Sequence, residues 1–202
     1  MALLSTFSLT GGGRTGVRHL LAWTAVILHG ALVGMAPALA QAEPRVSVQE
    51  TGGIYSVLAT FSVSQPAAAV MSVLSDYDRI PRFMPDVRSS TVLERSDGHA
   101  VVEQEAVAKF LMFSKRIHLV LEVDETPGSL RFRDRCGASF SRYEGGWTLT
   151  ETGDRTLIAY ELTAHPSFDV PEFLLTRLLK RDSTRMIQRL QAEIAVRQQP
   201  AP

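Results

Sequence analysis

The chain has 202 residues with equal numbers of acidic and basic residues, so its formal net charge is zero. The first 40 residues contain two basic residues, Arg14 and Arg18, and no acidic residue, which leaves residues 41–202 with a charge of about −2. This near-neutral balance excludes a general nucleic-acid binder, because such proteins need a net basic surface. The single cysteine, Cys136, cannot form an internal disulfide, and no Cys/His cluster has zinc-site spacing.

The first 40 residues have the order of a secretory signal peptide. A basic start precedes an apolar run over residues 20–33, and the small-residue sequence Ala38-Leu39-Ala40 follows. The run is shorter than the ~20 residues that a membrane-spanning helix needs. We therefore expect cleavage after residue 40 and a periplasmic or secreted protein. An uncleaved anchor and an organellar lumen remain alternatives, because transit peptides share the Ser/Thr/Gly/Arg-rich composition of this start.

The patterns after the leader predict mostly strands. Residues 45–63 alternate apolar and polar side chains around Gly52-Gly53, which is typical of strand with a turn or bulge. Pro66 predicts a short helix over residues 67–74, and turn-forming residues bracket a helical turn and a loop over residues 76–85. Six more alternating segments predict strands at residues 87–95, 99–110, 115–125, 130–138, 142–151 and 156–164.

The last element, residues 171–197, is predicted to be a long amphipathic helix. Its apolar stripe consists of Leu175, Leu179, Met186, Ile187, Leu190 and Ile194. We expect an α+β domain over residues 41–197, in which an antiparallel sheet of about seven strands wraps around this stripe, and a disordered tail at residues 198–202. Long strands around one helix leave part of the interior unfilled, so an apolar cavity for a small ligand is expected.

Several segments resemble START-type proteins. They are the loop with Asp76, Tyr77, Pro81, Phe83 and Pro85, the pair Phe113-Ser114 with Arg116-Ile117, the segment at 143–147 and the segment at 168–175. Within that superfamily the chain is similar to the polyketide cyclase/dehydrase-like and coenzyme Q-binding branches. The resemblance covers nearly all of residues 46–197. It implies a helix-grip fold with an apolar tunnel for lipids, quinones, sterols or polyketides, and it implies no prosthetic group.

Ten side chains are expected to line this cavity, although its aromatic members could equally be core. Gln104 and Asp134 fall on the inward face of their strands, where each would offer a polar atom to a ligand oxygen or be satisfied by a neighbour. Phe83 and Met84 lie between two prolines at the position of the tunnel mouth in the family. The full set is Phe83, Met84, Gln104, Phe110, Phe132, Asp134, Trp147, Tyr160, Phe173 and Leu179.

Nucleophilic and metal chemistry have little support in the sequence. No G-x-S-x-G elbow occurs, and the alternation that begins at Leu130 predicts that Cys136 points inward as an inert thiol. The histidines His99, His118 and His165 lie on separate strands without metal-site spacing.

Four arginines recur every four residues on the polar side of the last helix: Arg177, Arg181, Arg185 and Arg189. The plain interpretation is a solvated helix face. The alternative is weak, salt-sensitive docking onto anionic lipid headgroups.

These features favour an exported monomer that binds or shuttles a hydrophobic small molecule non-covalently, with no cofactor and no nucleic-acid partner. The runner-up is a cyclase or dehydratase that uses the same cavity, with Asp134 or Tyr160 as its acid/base group. A third interpretation is an interaction module with a filled core, whose arginine-bearing helix contacts a partner protein.

Overall fold

The structure is a computed structural model that describes residues 43–110 and 113–197. The strands are β1 (Arg45–Thr51), β2 (Ile54–Val63), β3 (Val87–Ser96), β4 (His99–Phe110), β5 (Phe113–Thr126), β6 (Ser129–Asp134), β7 (Phe140–Thr152) and β8 (Arg155–Pro166). The helices are α1 (Ala67–Leu74), α2 (Ile80–Phe83) and α3 (Glu172–Arg197), and a 3-10 turn (Tyr77–Arg79) precedes α2. The predicted leader and the predicted tail lie outside the described residues.

All eight strands pair in one antiparallel sheet of order β1-β2-β8-β7-β6-β5-β4-β3. Strands β3 to β8 form a meander, and the β1–β2 hairpin adds to it at β8. The sheet is open and curved, and it wraps around α3, so the predicted helix-grip α+β fold is confirmed. About seven strands were expected, and the sheet has eight. Gly52 and Gly53 have φ of 61° and 82°, and they make the tight turn that divides residues 45–63 into two paired strands.

The core lies between the concave face of the sheet and α3. Val57 and Ile158 from the sheet and Ile187 from the helix are fully buried. The buried residues of α3 are Leu175, Leu178, Ser183, Ile187, Leu190, Gln191 and Ile194. Leu179 and Met186, which belong to the predicted stripe, are only half-buried because they border a groove. Within the described part of the chain, no helix is both long and apolar enough to cross a membrane.

Strand β6 ends at Asp134, four residues earlier than predicted. The Asp134 carboxylate accepts hydrogen bonds from the backbone N–H groups of Cys136 (3.2 Å) and Gly137 (3.0 Å), which turns the chain away from the sheet. The same carboxylate accepts a third hydrogen bond, at 2.9 Å, from the backbone N–H of Val120 on β5. Because alternation stops at this turn, Cys136 is exposed, and the predicted inward thiol was wrong.

Candidate functional site

A pocket of about 150 Å³, partly open to solvent and called the cavity below, lies between α1, α2, the concave face of the sheet and α3. Its wall is largely apolar and aromatic, and its polar atoms come from Gln104, three tyrosines and one tryptophan. The wall residues are Val73, Leu74, Tyr77, Ile80, Phe83, Met84, Gln104, Leu121, Val123, Leu130, Phe132, Tyr143, Trp147, Tyr160, Met186 and Leu190. The expected apolar hollow is therefore present in the domain, and its volume is small.

The structure brings together six of the ten side chains that the sequence placed around the cavity. They are Phe83, Met84, Gln104, Phe132, Trp147 and Tyr160. Leu179 lies instead in an adjacent groove. The side chain of Phe110 lies outside the described residues. That these residues contact a ligand stays a prediction.

Besides Leu179, two more of the expected wall residues are not in the wall. Phe173 is 78% exposed in the first turn of α3. Leu175 turns toward the sheet, and a residue two positions earlier lies on nearly the opposite side of a helix. Asp134 is occupied by the three backbone N–H groups described above, so it closes a turn and does not face the cavity.

Strands β6, β7 and β8 supply the aromatic side of the wall. Phe132 and Tyr143 lie with ring centroids 5.9 Å apart, and Trp147 packs edge-on against Phe61 at 6.4 Å. Gly145 makes room for the Phe132 ring, because a Cβ at Gly145 would lie 3.0 Å from that ring and would overlap a backbone carbonyl oxygen of β8. Because Gly145 has no side chain, the rings of Phe132, Tyr143 and Trp147 can lie side by side on the neighbouring strands β6 and β7.

Gln104 brings an amide to the wall from the middle of β4. Its Nε2 donates a hydrogen bond to Oγ of Ser90 on β3, at 3.1 Å, and Ser90 is buried. The amide oxygen has no hydrogen-bond partner among the described residues. Gln104 borders the cavity, so its amide oxygen can accept a hydrogen bond from a ligand while the donor end stays bonded to Ser90.

Tyr143 and Tyr160 bring two phenol side chains to the wall that the cavity shares with a neighbouring groove. Burial raises the pKa of Tyr143 to about 12, and the nearby Asp134 carboxylate adds to that rise. Burial raises the pKa of Tyr160 well above its usual value, with a further contribution from Tyr143. Neither hydroxyl has a hydrogen-bond partner within the described part of the chain. Both therefore remain protonated at neutral pH, where they can donate to a ligand oxygen.

The start of the loop between α1 and β3 is anchored to the sheet and to α3. The Tyr77 hydroxyl donates to Oε1 of Glu125 at 2.7 Å, and burial with this bond raises its pKa. Asp76 pairs with Arg197 at 2.7 Å, and Asp78 accepts from the backbone N–H of Val92 at 3.0 Å. These contacts fix residues 76–78. Phe83 and Met84 at the other end of the loop are half-buried against the cavity.

A groove of about 520 Å³ adjoins the cavity. It lies between α3 and the segment from Met84 to Val87, and four side chains belong to both walls: Met84, Tyr143, Tyr160 and Met186. Basic side chains border it: Lys109, Arg181, Arg185 and Arg189. The carboxylates of Asp86 and Asp182 border it too. The cavity therefore meets a charged surface depression across a wall of two flexible methionines and two tyrosines.

Sequence reasoning missed several wall residues, among them Tyr77, Tyr143 and Met186. The alternation of β7 did place Tyr143 on the inward face, and the apolar stripe of α3 included Met186, but neither pattern shows which inward residues border empty space. Among residues 43–110 and 113–197, no cluster of three or more His, Cys, Asp or Glu side chains has the arrangement of a metal site.

The fold is similar to solved structures of several START-related proteins. The STAR-related lipid transfer protein from Xanthomonas axonopodis has a TM-score of 0.64 and 18% identity, covering 76% of this chain and 94% of that one. The Zhui aromatase/cyclase from Streptomyces sp. R1128 has a TM-score of 0.62 and 18% identity, covering 72% and 96%. Human STARD10 has a TM-score of 0.60 and 9% identity, covering 76% and 73%. At these identities the likeness shows the fold alone.

No functionally curated protein sequence matches this chain. A protein-family model, described as polyketide cyclase / dehydrase and lipid transport, matches residues 63–191. That span runs from the end of β2 through most of α3 and includes every residue of the cavity wall. The chain therefore belongs to the polyketide cyclase / dehydrase and lipid transport family.

Proposed function

We propose that this protein binds a hydrophobic small molecule non-covalently in the cavity and carries it in an exported compartment. The observation that supports this best is the apolar cavity in the core, with unpartnered polar atoms of Gln104, Tyr143 and Tyr160 at its wall. Apolar surface gains free energy on leaving water, and buried polar groups give a ligand oxygen a defined position.

The volume of the cavity limits what enters it. A dry cavity of about 150 Å³ in another protein holds benzene, so a ring or chain segment of about six carbons fits here. Six carbons contribute roughly 5 kcal/mol at ~0.8 kcal/mol each. A lipid chain, a quinone ring or one ring of a polyketide meets this limit, with the rest of the ligand in the groove.

Entry is proposed to occur past the side chains of Phe83 and Met84. Both ends of the loop are held, residues 76–78 by the contacts described above and Asp86 by Arg189 and Lys109, so the proposed movement is one of side chains. Met84 and Met186 separate cavity from groove, and methionine side chains change rotamer readily. A movement of these two side chains would join the cavity to the groove without disturbing the sheet.

An enzymatic role in the same cavity is the runner-up. Of the two candidate acid/base residues, Tyr160 lies in the cavity wall and Asp134 does not. Tyr160 stays protonated at neutral pH, so it would act as a hydrogen-bond donor or an acid and not as a base. Because no carboxylate or histidine is among the described residues of the wall, binding is the function that we propose.

Export is proposed from the leader at residues 1–40. The test is fractionation of producing bacterial cells, followed by amino-terminal sequencing. We expect a processed chain that begins at Gln41 in the periplasm or the medium. A full-length chain in the cytosol would rule out export and leave the binding proposal unaffected.

The binding test is mass spectrometry of an organic extract from the purified full chain. Met186→Trp would place a larger side chain at the boundary of cavity and groove, and we expect this variant to lose the co-purified compound. Leu157→Trp, on the exposed outer face of β8, is the matched control and should retain it. If neither the unmodified chain nor the control yields an apolar compound or binds a lipophilic dye, the proposal is wrong.

A further inference from the structure

The groove beside the cavity has more basic than acidic side chains. Arg189 and Lys109 both lie near Asp86, at 3.3 and 3.5 Å, and Arg181 pairs with its neighbour Asp182 at 2.8 Å. Arg185 lies between these pairs in the groove wall. It has no carboxylate partner among the described residues. Four cations therefore share two carboxylates, and one arginine is left available to an anion.

The groove also contains hydroxyls without partners. Tyr160 and Ser183 are 5% and 7% exposed, and Tyr143 stands beside them in the same wall. Within residues 43–110 and 113–197, none of the three hydroxyls makes a hydrogen bond. These hydroxyl oxygens are not among the fully buried atoms that lack a partner. They are therefore reachable from the groove, where they can donate to a ligand.

We infer that the groove binds the anionic headgroup, carboxylate or phosphate, of an amphiphile whose apolar end occupies the cavity. This inference rests on the proposed function and adds the chemical class of the ligand. The guanidinium of Arg185 supplies charge-assisted hydrogen bonds to the anion, and the hydroxyls of Ser183, Tyr143 and Tyr160 donate to its remaining oxygens.

The position of the charges favours an amphiphile over a free anion. Four side chains belong to both walls, so a headgroup in the groove lies directly beside the apolar cavity: Met84, Tyr143, Tyr160 and Met186. A free phosphate would use the groove alone and would gain nothing from the cavity. A neutral lipid would use the cavity alone and would leave Arg185 without a partner.

The test is calorimetric titration of the full chain with three ligands of one chain length: decanoate, decyl phosphate and decanol. We expect at least one of the two anions to bind about tenfold more tightly than decanol. Raising the salt concentration from about 50 mM to about 500 mM should weaken the binding of the anion and leave the affinity for decanol unchanged. Comparison of the two anions identifies the headgroup as carboxylate or phosphate.

Arg185→Gln tests the residue itself. This exposed side chain has no ion pair in the described structure, so the substitution should leave folding intact while the affinity for the anion falls about tenfold. Arg177→Gln is the matched control, because Arg177 is exposed on the same helix but lies outside the groove. It should change the anion affinity less than twofold, and neither variant should change decanol binding.

Other outcomes would contradict either the headgroup site alone or the binding function as well. Equal binding of decanol and of both anions would overturn the headgroup site and leave the binding function standing. Equal losses in Arg185→Gln and Arg177→Gln would also overturn the site, since they would show only long-range attraction. If none of the three ligands binds, the proposed function fails, and the inference fails with it.

Discussion

Trp147 and Tyr160 are register partners on β7 and β8, and their rings lie with centroids 4.4 Å apart and planes inclined by 37°. Such an aromatic pair contributes roughly 0.5–1.5 kcal/mol beyond simple burial. The tryptophan therefore holds the tyrosine in one orientation in the wall that the cavity and the groove share. A ligand oxygen at this point meets a preoriented hydroxyl.

Removal of this hydroxyl should affect binding more than folding. We expect Tyr160→Phe to lower the affinity for phenol about threefold to tenfold, since one hydrogen bond contributes about 0.5–1.5 kcal/mol. Benzene binding should be unchanged, and the free energy of unfolding should change by less than about 1 kcal/mol, because no protein group loses a partner. Calorimetric titration and urea unfolding measure both quantities. Tyr55→Phe, buried outside cavity and groove, is the control; equal losses in both variants would contradict the assignment.

The stability of the protein should fall at alkaline pH. An unfolded tyrosine loses its proton near pH 10, whereas the pKa of folded Tyr143 is raised to about 12. The contribution of Tyr143 is therefore fully present below about pH 10, and it falls by about 1.4 kcal/mol per pH unit until about pH 12. Urea unfolding between about pH 8 and about pH 11.5 measures this decline. Tyr143→Phe should decline less steeply, and parallel curves for the two proteins would disprove the shift.

Asp134 should prove to be a structural residue. Asp134→Ala leaves the backbone N–H groups of Val120, Cys136 and Gly137 without their acceptor. We expect a loss of about 2–3 kcal/mol in the free energy of unfolding, because hydrogen bonds to a charged group are strong. Ligand affinity should stay within about twofold, as expected for a group outside the cavity wall. Asp154→Ala, in the exposed β7–β8 turn, should change neither quantity. If Asp134→Ala stays folded but loses much of its ligand affinity, Asp134 takes part in ligand binding and the prediction is wrong.

Gly145 should tolerate no side chain. A Cβ there would overlap the carbonyl oxygen of Glu161 and lie 3.0 Å from the Phe132 ring. We expect Gly145→Ala to destabilise the protein by about 3 kcal/mol, the upper end for overpacking, as measured by thermal unfolding. Gly128→Ala is the control, since its Cβ would meet nothing closer than 3.6 Å. Equal stability of the two variants would show that β7 can move away from its neighbours.

The sequence by itself determined most of the secondary structure, because short-range patterns carry that information. The helix at residues 67–74 was predicted with the bounds that it has in the structure. In β5, alternation identified the inward residues Ile117, Leu119, Leu121 and Val123, each of which is 8% exposed or less. The long final helix and the curved antiparallel sheet followed from the same periodicities, which differ between helix and strand.

Only the tertiary structure decided which inward side chains border a cavity. Phe61 and Trp147 both point inward and touch each other, yet only Trp147 lies in the cavity wall. Alternation reports the face on which a side chain lies, whereas the distance between sheet and helix depends on how all the facing side chains pack. The exposure of Cys136 and Phe173 has the same kind of origin. The Asp134 carboxylate ends β6 before Cys136, which is therefore exposed. The orientation of α3 that buries Leu175 leaves Phe173, two residues earlier, on the outer side of the helix.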